Sequence, residues 1–401
     1  VSTYQDLLKS PGVARIILAQ LTARFPFGML SLALLLHVQQ VHDSYGAAGL
    51  VLAAASIGQS ISGPLTSRWM GIWGMRRVLI LTTAVCMLAL STVALFELPV
   101  VAYMVVAFIG GLSTPPIQPA VRTIYPKMVS SRQLTPLFSL DASAQEIIWV
   151  LGPVVTVFIS TQVSTVAGIM TAVVMMVAGG SWFISLPELG QVRIPRSRRR
   201  MGAVLTRPSV VVATVVGFLL VGACAAVEAG VVALYDHGLE SGIVLAIFSV
   251  GSLIGGLSMG HIPISPWSLA KRMLIVAGGL GIASIWLNIW WLGAALFVAG
   301  VGIAPALAVL FAMVSATVKF SETAEAYGWV GTGQLIGAAL GSAVAGFLID
   351  GVGETGAFLA AAGFAVAGFI AAAIGSRWSP DLRGRDASPI PDTEPVPVQG
   401  R

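Results

Sequence analysis

Three charged residues, Arg24, Glu146 and Glu228, stand in stretches of chain that are otherwise almost wholly apolar. If such a stretch crosses a bilayer, each charge costs at least ~2.5–3.5 kcal/mol and calls for an explanation. An arginine in that setting can neutralise a carboxylate or anchor an anion. A carboxylate with no basic neighbour suits proton binding near neutral pH. Asp141 and Arg122 lie nearer the ends of two such stretches. The chemistry this set suggests is ion pairing and proton transfer rather than bond-making catalysis.

The elements that must hold these residues are long apolar runs. The chain has 401 residues, of which 56% are hydrophobic and only 10% charged, with a mean hydropathy of +0.90. Soluble domains carry roughly 25% charged residues, so the composition excludes one. Runs long enough to span occur at 14–38, 46–68, 78–96, 99–121, 138–160, 166–186, 210–235, 240–261, 272–289, 290–316, 326–349 and 356–376. The expected fold is therefore an all-α integral membrane protein of twelve transmembrane helices. The first run is too long for a signal-peptide core, contains Arg24, and reads as a span.

Basic residues test the topology. With the N-terminus placed in the cytoplasm, every one of the 22 Lys and Arg residues except Arg24 falls in an inside segment. The outside loops hold only acids: Asp43, Glu97, Asp236, Glu240, Asp350 and Glu354. This obeys the positive-inside rule and puts both termini in the cytoplasm. It also accounts for the formal charge of +5 without nucleic acid. Residues 188–209, with the run Arg196-Ser197-Arg198-Arg199-Arg200, read as a basic cytoplasmic linker. They separate an N-terminal bundle, 1–187, from a C-terminal bundle, 210–377. Residues 378–401, rich in Pro and Asp, read as a disordered tail.

The two bundles are related. Gly49, Val51, Leu52, Ala53, Ser56, Gly58, Ile61 and Gly63 match Gly242, Val244, Leu245, Ala246, Ser249, Gly251, Ile254 and Gly256. Gln145, Ile147, Leu151 and Gly152 match Gln334, Ile336, Leu340 and Gly341, and Gly110 and Pro115 match Gly300 and Pro305. Spans 2, 4 and 5 thus correspond to spans 8, 10 and 11. Two six-helix halves in parallel orientation, with a site near the midplane between them, is one of the known carrier architectures.

This pattern resembles the Major Facilitator Superfamily over essentially the whole chain except the tail. Within it the chain looks like the bacterial drug-efflux type. The strings that carry this are Ala23-Arg24-Phe25-Pro26, the stretch from Gly111 through Pro119 with its three prolines, and Glu146 followed by Gly152-Pro153. The resemblance implies secondary transport by alternating access in a bacterial cytoplasmic membrane, by a monomer, with no cofactor. Its partners would be a small-molecule substrate, protons as coupling ion, and the lipid bilayer. The superfamily's gating loop between spans 2 and 3 survives only as Gly74, Arg76 and Arg77. Its acid is replaced by Gly71, which puts the usual cytoplasmic latch in doubt. Val106 stands where the antiporter branch has an arginine in span 4.

Particular residues follow from these frames. Arg24 lies about ten residues, or roughly 15 Å, into span 1. Glu146 lies at a similar depth in span 5, which predicts that the two approach each other, as a structural pair or as one that exchanges partners during transport. Asp141, at a membrane edge, is expected to pair structurally with Arg122. Glu228 in span 7 has no basic partner and reads as a proton site. Gln20, Thr114, Gln118, Gln145 and Gln334 are candidate substrate contacts, each equally open to ordinary interhelical hydrogen bonding. Phe27 and Trp149 could line an apolar pocket, and the scarcity of polar lining favours an amphipathic substrate over a sugar.

Several patterns are decoys. Gly256-Leu257-Ser258-Met259-Gly260 mimics a hydrolase nucleophile elbow but lies in a membrane helix. Gly351 to Gly356 mimics a dinucleotide loop with no preceding strand. The four histidines make no metal motif. The expected function is proton-coupled export of an amphipathic small molecule. An importer or facilitator of a metabolite or lipid, and a sensor with a transporter fold, are the alternatives.

Overall fold

The computed structural model describes residues 2–197, 200–235, 239–384 and 387–392. Arg198, Arg199, Asp236, His237, Arg385, Arg401 and the final stretch from 393 lie outside the described residues. A short helix, α1 (Ser2–Lys9), precedes the spans. Span 1 is split into α2 (Val13–Arg24) and α3 (Phe27–His42). The split falls at Pro26, which has no N–H to continue the helical ladder. Spans 2 and 3 are α4 (Tyr45–Trp73) and α5 (Met75–Leu95). Span 4 is split by Pro115 and Pro116 into α6 (Val100–Leu112) and α7 (Ile117–Met128). Spans 5 and 6 are α8 (Ser131–Gln162) and α9 (Thr165–Ser185). The short α10 (Pro187–Gln191) opens the linker.

The second half runs α11 (Pro208–Leu234), α12 (Leu239–Met259), α13 (Ser268–Ala283), α14 (Ile289–Thr317), α15 (Phe320–Val352) and α16 (Thr355–Gly375). Among the described residues eleven segments are long and apolar enough to cross a membrane. The 16-residue α13 completes the twelve. It begins and ends earlier than the 272–289 run predicts. The helices α8 and α14 pass through Pro153 and Pro305 unbroken, unlike spans 1 and 4. Large apolar side chains such as Leu88, Val101 and Phe347 are exposed on the outside of the bundle. In water such a surface would aggregate; in a bilayer it faces lipid.

The sequence repeat is a packing repeat. Helix α4 lies on α6 as α12 lies on α14, and α3 lies on α8 as α11 lies on α15. Gly58 of α4 abuts the Phe108 carbonyl, and its match Gly251 abuts the Phe297 carbonyl. Gly152 of α8 abuts Gly28, and its match Gly341 abuts Gly222. At each of the four a methyl group would overlap backbone, so the register of glycines, not average hydrophobicity, sets how closely these helices approach. Gly341→Leu is accordingly expected to lower the thermal midpoint of the purified protein, since overpacking against backbone costs typically 1–3 kcal/mol or more. Gly363→Leu, where nothing lies near, should leave it unchanged.

The halves touch through α4 with α15, α8 with α12 and α14, and α7 with α15. These contacts lie towards the end of the bundle that carries the basic residues. Gly63 meets Gly328, Thr332 Oγ1 donates to the Ser60 carbonyl at 2.6 Å, and Ser139 Oγ donates to the Gly256 carbonyl at 2.6 Å. Tyr4 of α1 donates to the same carbonyl at 3.0 Å. The C-terminal segment also docks at this end. Leu382 N–H donates to the Ile264 carbonyl, Ile390 N–H to the Val318 carbonyl, and Ser321 Oγ to Asp392. Contacts therefore run well past residue 378, where a structureless tail is expected from composition. Backbone groups left open by the α12–α13 loop and by the start of α15 are paired by this segment.

Candidate functional site

The kink at Pro26 leaves Arg24 as the last residue of α2, turned into the N-terminal half and buried. Its partner is Asp141 of α8, not Glu146: Arg24 Nη1 lies 3.2 Å from Asp141 Oδ1. This corrects the pairing expected from depth alone. Asp141 and Gln145 are one turn apart on the same face of α8, whereas Glu146 is rotated about 100° away. Arg24 Nη2 donates to Gln145 Oε1, and Gln20 both accepts from Arg24 Nη1 at 2.7 Å and donates to Asp141 Oδ1 at 3.0 Å.

The expected pair of Asp141 with Arg122 is present, at 2.9 Å from Nε to Oδ2. Asp141 is completely buried and holds both arginines. The Arg122 guanidinium lies 3.4 Å from the centre of the Phe311 ring of α14, across the interface between halves. Such a cation–π contact adds about 0.5–2 kcal/mol depending on desolvation. Gln118 and Gln145 meet beside it, with Gln118 Nε2 at 3.3 Å from Gln145 Oε1. Turning the Gln118 amide over brings its oxygen to 2.7 Å from Arg122 Nη2, the more sensible assignment for a group facing a cation.

Glu146 points instead to the other half. It accepts from Ser252 Oγ of α12 at 3.0 Å and is half-buried. Glu228 of α11 is exposed, with Cys224 one turn below it. Trp149 is 49% exposed. On α8 it lies between the face carrying Gln145 and the face carrying Glu146. Among the described residues, hydrogen bonds between the halves stop at Glu146–Ser252 and Ser60–Thr332. Glu228 lies within electrostatic reach of Glu146.

The Thr114 hydroxyl donates to the Gly111 carbonyl and its own carbonyl accepts from Ser62, so it caps the break in span 4. Gln334 lies against Gly217 in the α11–α15 contact. Phe27 packs on the main apolar core. Gly74 turns the chain between α4 and α5 at φ +87°, Arg76 donates to the Leu186 carbonyl, and Arg77 is exposed.

The latch at the basic end is made by residues the sequence pattern did not single out. Arg68 Nη1 of α4 meets Glu325 Oε2 of α15 at 2.9 Å. Glu325 Oε1 also accepts from the Gly202 backbone N–H at 2.7 Å, tying in the linker. Arg207 meets Glu322 at 3.2 Å, and Lys127 lies over the Phe320 ring. A cavity of about 440 Å³ beside the latch is lined by Arg68, Arg196, Ser321 and Glu325. Arg68 and Glu325 both lie outside the Gly74–Arg77 stretch, so that motif does not point to them. Ser252 carried a faint signal, since it lies within the repeated stretch. Among the described residues no cluster of His, Cys, Asp and Glu could hold a metal ion.

Two six-helix halves in one orientation, meeting towards the basic end, define a membrane carrier fold. The Major Facilitator Superfamily profile matches residues 16–287 and 239–398. The chain belongs to this superfamily, whose members are membrane transporters rather than enzymes, and it is a secondary transporter of a small molecule. Solved structures agree at the level of the fold. The human organic anion transporter MFSD10 (TETRAN) matches at 16% identity and TM-score 0.69, over 90% of this chain and 98% of that one. A bacterial homologue of the iron transporter ferroportin, in an outward-facing state, matches at 11% identity and TM-score 0.72, over 91% and 99%. The E. coli fucose:proton symporter FucP matches at 17% identity and TM-score 0.69, over 92% and 99%. No curated protein sequence matches.

Proposed function

We propose that this protein is a proton-coupled exporter of an amphipathic small molecule, acting as a monomer in a bacterial cytoplasmic membrane. The basic end is the cytoplasmic end, because lysine and arginine are retained there. The halves, residues 1–187 and 210–377, rock about the midplane while the linker 188–209 spans them. We place the substrate cleft on the outward side of the Glu146–Ser252 contact, where among the described residues no hydrogen bond joins the halves.

The observation that carries the reading is the Glu146–Ser252 contact at 3.0 Å, a carboxylate of one half held by a hydroxyl of the other at the floor of the cleft. Protonation there changes a contact that must break when the halves move, which is how a proton can bias two states. Glu228, open to the same cleft, supplies a second carboxylate. Trp149 and the apolar walls suit a substrate with little hydrogen-bonding demand.

The test is proton movement in proteoliposomes loaded with a pH dye and challenged with lipophilic cations, anions and neutral compounds. A substrate-triggered signal is expected, lost in Glu146→Gln and in Glu228→Gln. A doubly substituted protein that still accumulates substrate against a gradient would refute the coupling.

A further inference from the structure

The cluster round Asp141 contains two guanidiniums and one carboxylate. Among the described residues no second carboxylate makes an ion pair with Arg24 or Arg122. One formal positive charge is thus left over in a buried place, where an uncompensated ion is costly. Neutral oxygens surround it. Gln20 Oε1 accepts from Arg24. Gln145 Oε1 accepts from Arg24 Nη2 and also from Arg122 Nη2 at 3.4 Å, so a single amide oxygen stands where the two guanidiniums converge. The Gln118 oxygen, once turned, faces Arg122. Beside Asp141, the buried Tyr125 hydroxyl makes no hydrogen bond of normal geometry.

Amide dipoles solvate a cation without cancelling its charge. A carboxylate, sulfonate or phosphate oxygen does both, and paired guanidinium forks match such oxyanions. Gln145 and Gln118 are only half-buried, unlike Arg24, Arg122 and Asp141, so the convergence point is approached past these two amides. We propose that the transported molecule is an amphipathic organic anion whose oxyanion head displaces the Gln145 amide and binds between Arg24 and Arg122. This rests on the carrier reading above and names its substrate class. The apolar remainder would lie along Trp149. Gln145 and Glu146 diverge on α8, so the anion and proton sites are neighbours that do not overlap. An inside-negative potential drives an anion outward, in keeping with export.

Three probes on one scaffold test this on the purified full chain: 1-naphthalenesulfonate, a naphthylmethyl-trimethylammonium and neutral 1-naphthalenesulfonamide. Affinity is read from ligand-induced shifts in thermal midpoint. The sulfonate is expected to bind at least about tenfold more tightly than the others. Gln145→Glu builds a fixed carboxylate into the convergence point. It should raise the midpoint of the unliganded protein, weaken the sulfonate about tenfold or more, and leave the ammonium within about twofold. No preference for the sulfonate, or sulfonate binding unmoved by Gln145→Glu, overturns the proposal. In proteoliposomes, proton movement triggered by the ammonium and not the sulfonate would reject the anion site and keep the coupled carrier. Sulfonate binding sensitive to Gln145→Glu, with no coupled proton movement for any probe, would keep the site and reject the coupling.

Discussion

Asp141→Ala is expected to yield little folded protein, and what folds should unfold on the order of 10 °C below the parent. The substitution leaves Arg24 and Arg122 facing each other with only amide oxygens between them. Removing one partner of a buried ion pair costs roughly 3–5 kcal/mol, chiefly because the other charge stays behind. Here two charges stay behind. Lost packing and lost charge are separable, because Asp141→Asn keeps the shape and should be nearly as harmful. Adding Arg24→Gln to Asp141→Asn removes the repulsion and should recover part of the midpoint. The comparison needs only thermal unfolding of purified protein. An Asp141→Asn midpoint equal to the parent's would show that the cluster contributes nothing to stability.

Glu325→Ala should release the basic end. Glu325 holds Arg68 of the other half and the Gly202 N–H of the linker, and its side chain is only 4% exposed. Arg68 is 21% exposed beside a cavity of about 440 Å³, so solvent screens the pair and its contribution is about 1–3 kcal/mol rather than that of a fully buried one. Each 1.4 kcal/mol shifts a two-state population about tenfold. The state open at the basic end should therefore rise by about five- to 140-fold. Ser143, completely buried against Gly256 at the α8–α12 seam, is a reporter position. With Cys86 and Cys224 replaced by serine, a Ser143→Cys thiol should react with an impermeant maleimide from the basic side far faster when Glu325→Ala is present. Equal rates would show that the seam, not the latch, keeps this end closed.

Apolar run lengths, charge placement and repeated glycines are local properties of the chain. They were enough for twelve spans and two matched halves, because a bilayer sorts segments by composition. The same marks located the candidate charges, since an ion in an apolar run stands out whatever the fold. The latch was not legible. Glu325 and Arg68 lie 257 positions apart, in segments where charged residues are ordinary, and nothing local marks them as partners.

The division is sharpest at Arg24. Counting residues places a side chain along the membrane normal to within a turn, and by that measure Arg24 and Glu146 are neighbours. Which way each side chain points around its helix depends on what the helix packs against. Gly28 and Gly152 seat α3 on α8, turning Asp141 and Gln145 towards Arg24 and Glu146 towards α12. The sequence by itself determined the spans and the halves. Only the tertiary structure decided the partners of the charges, because azimuth is a property of a helix pair and not of a helix.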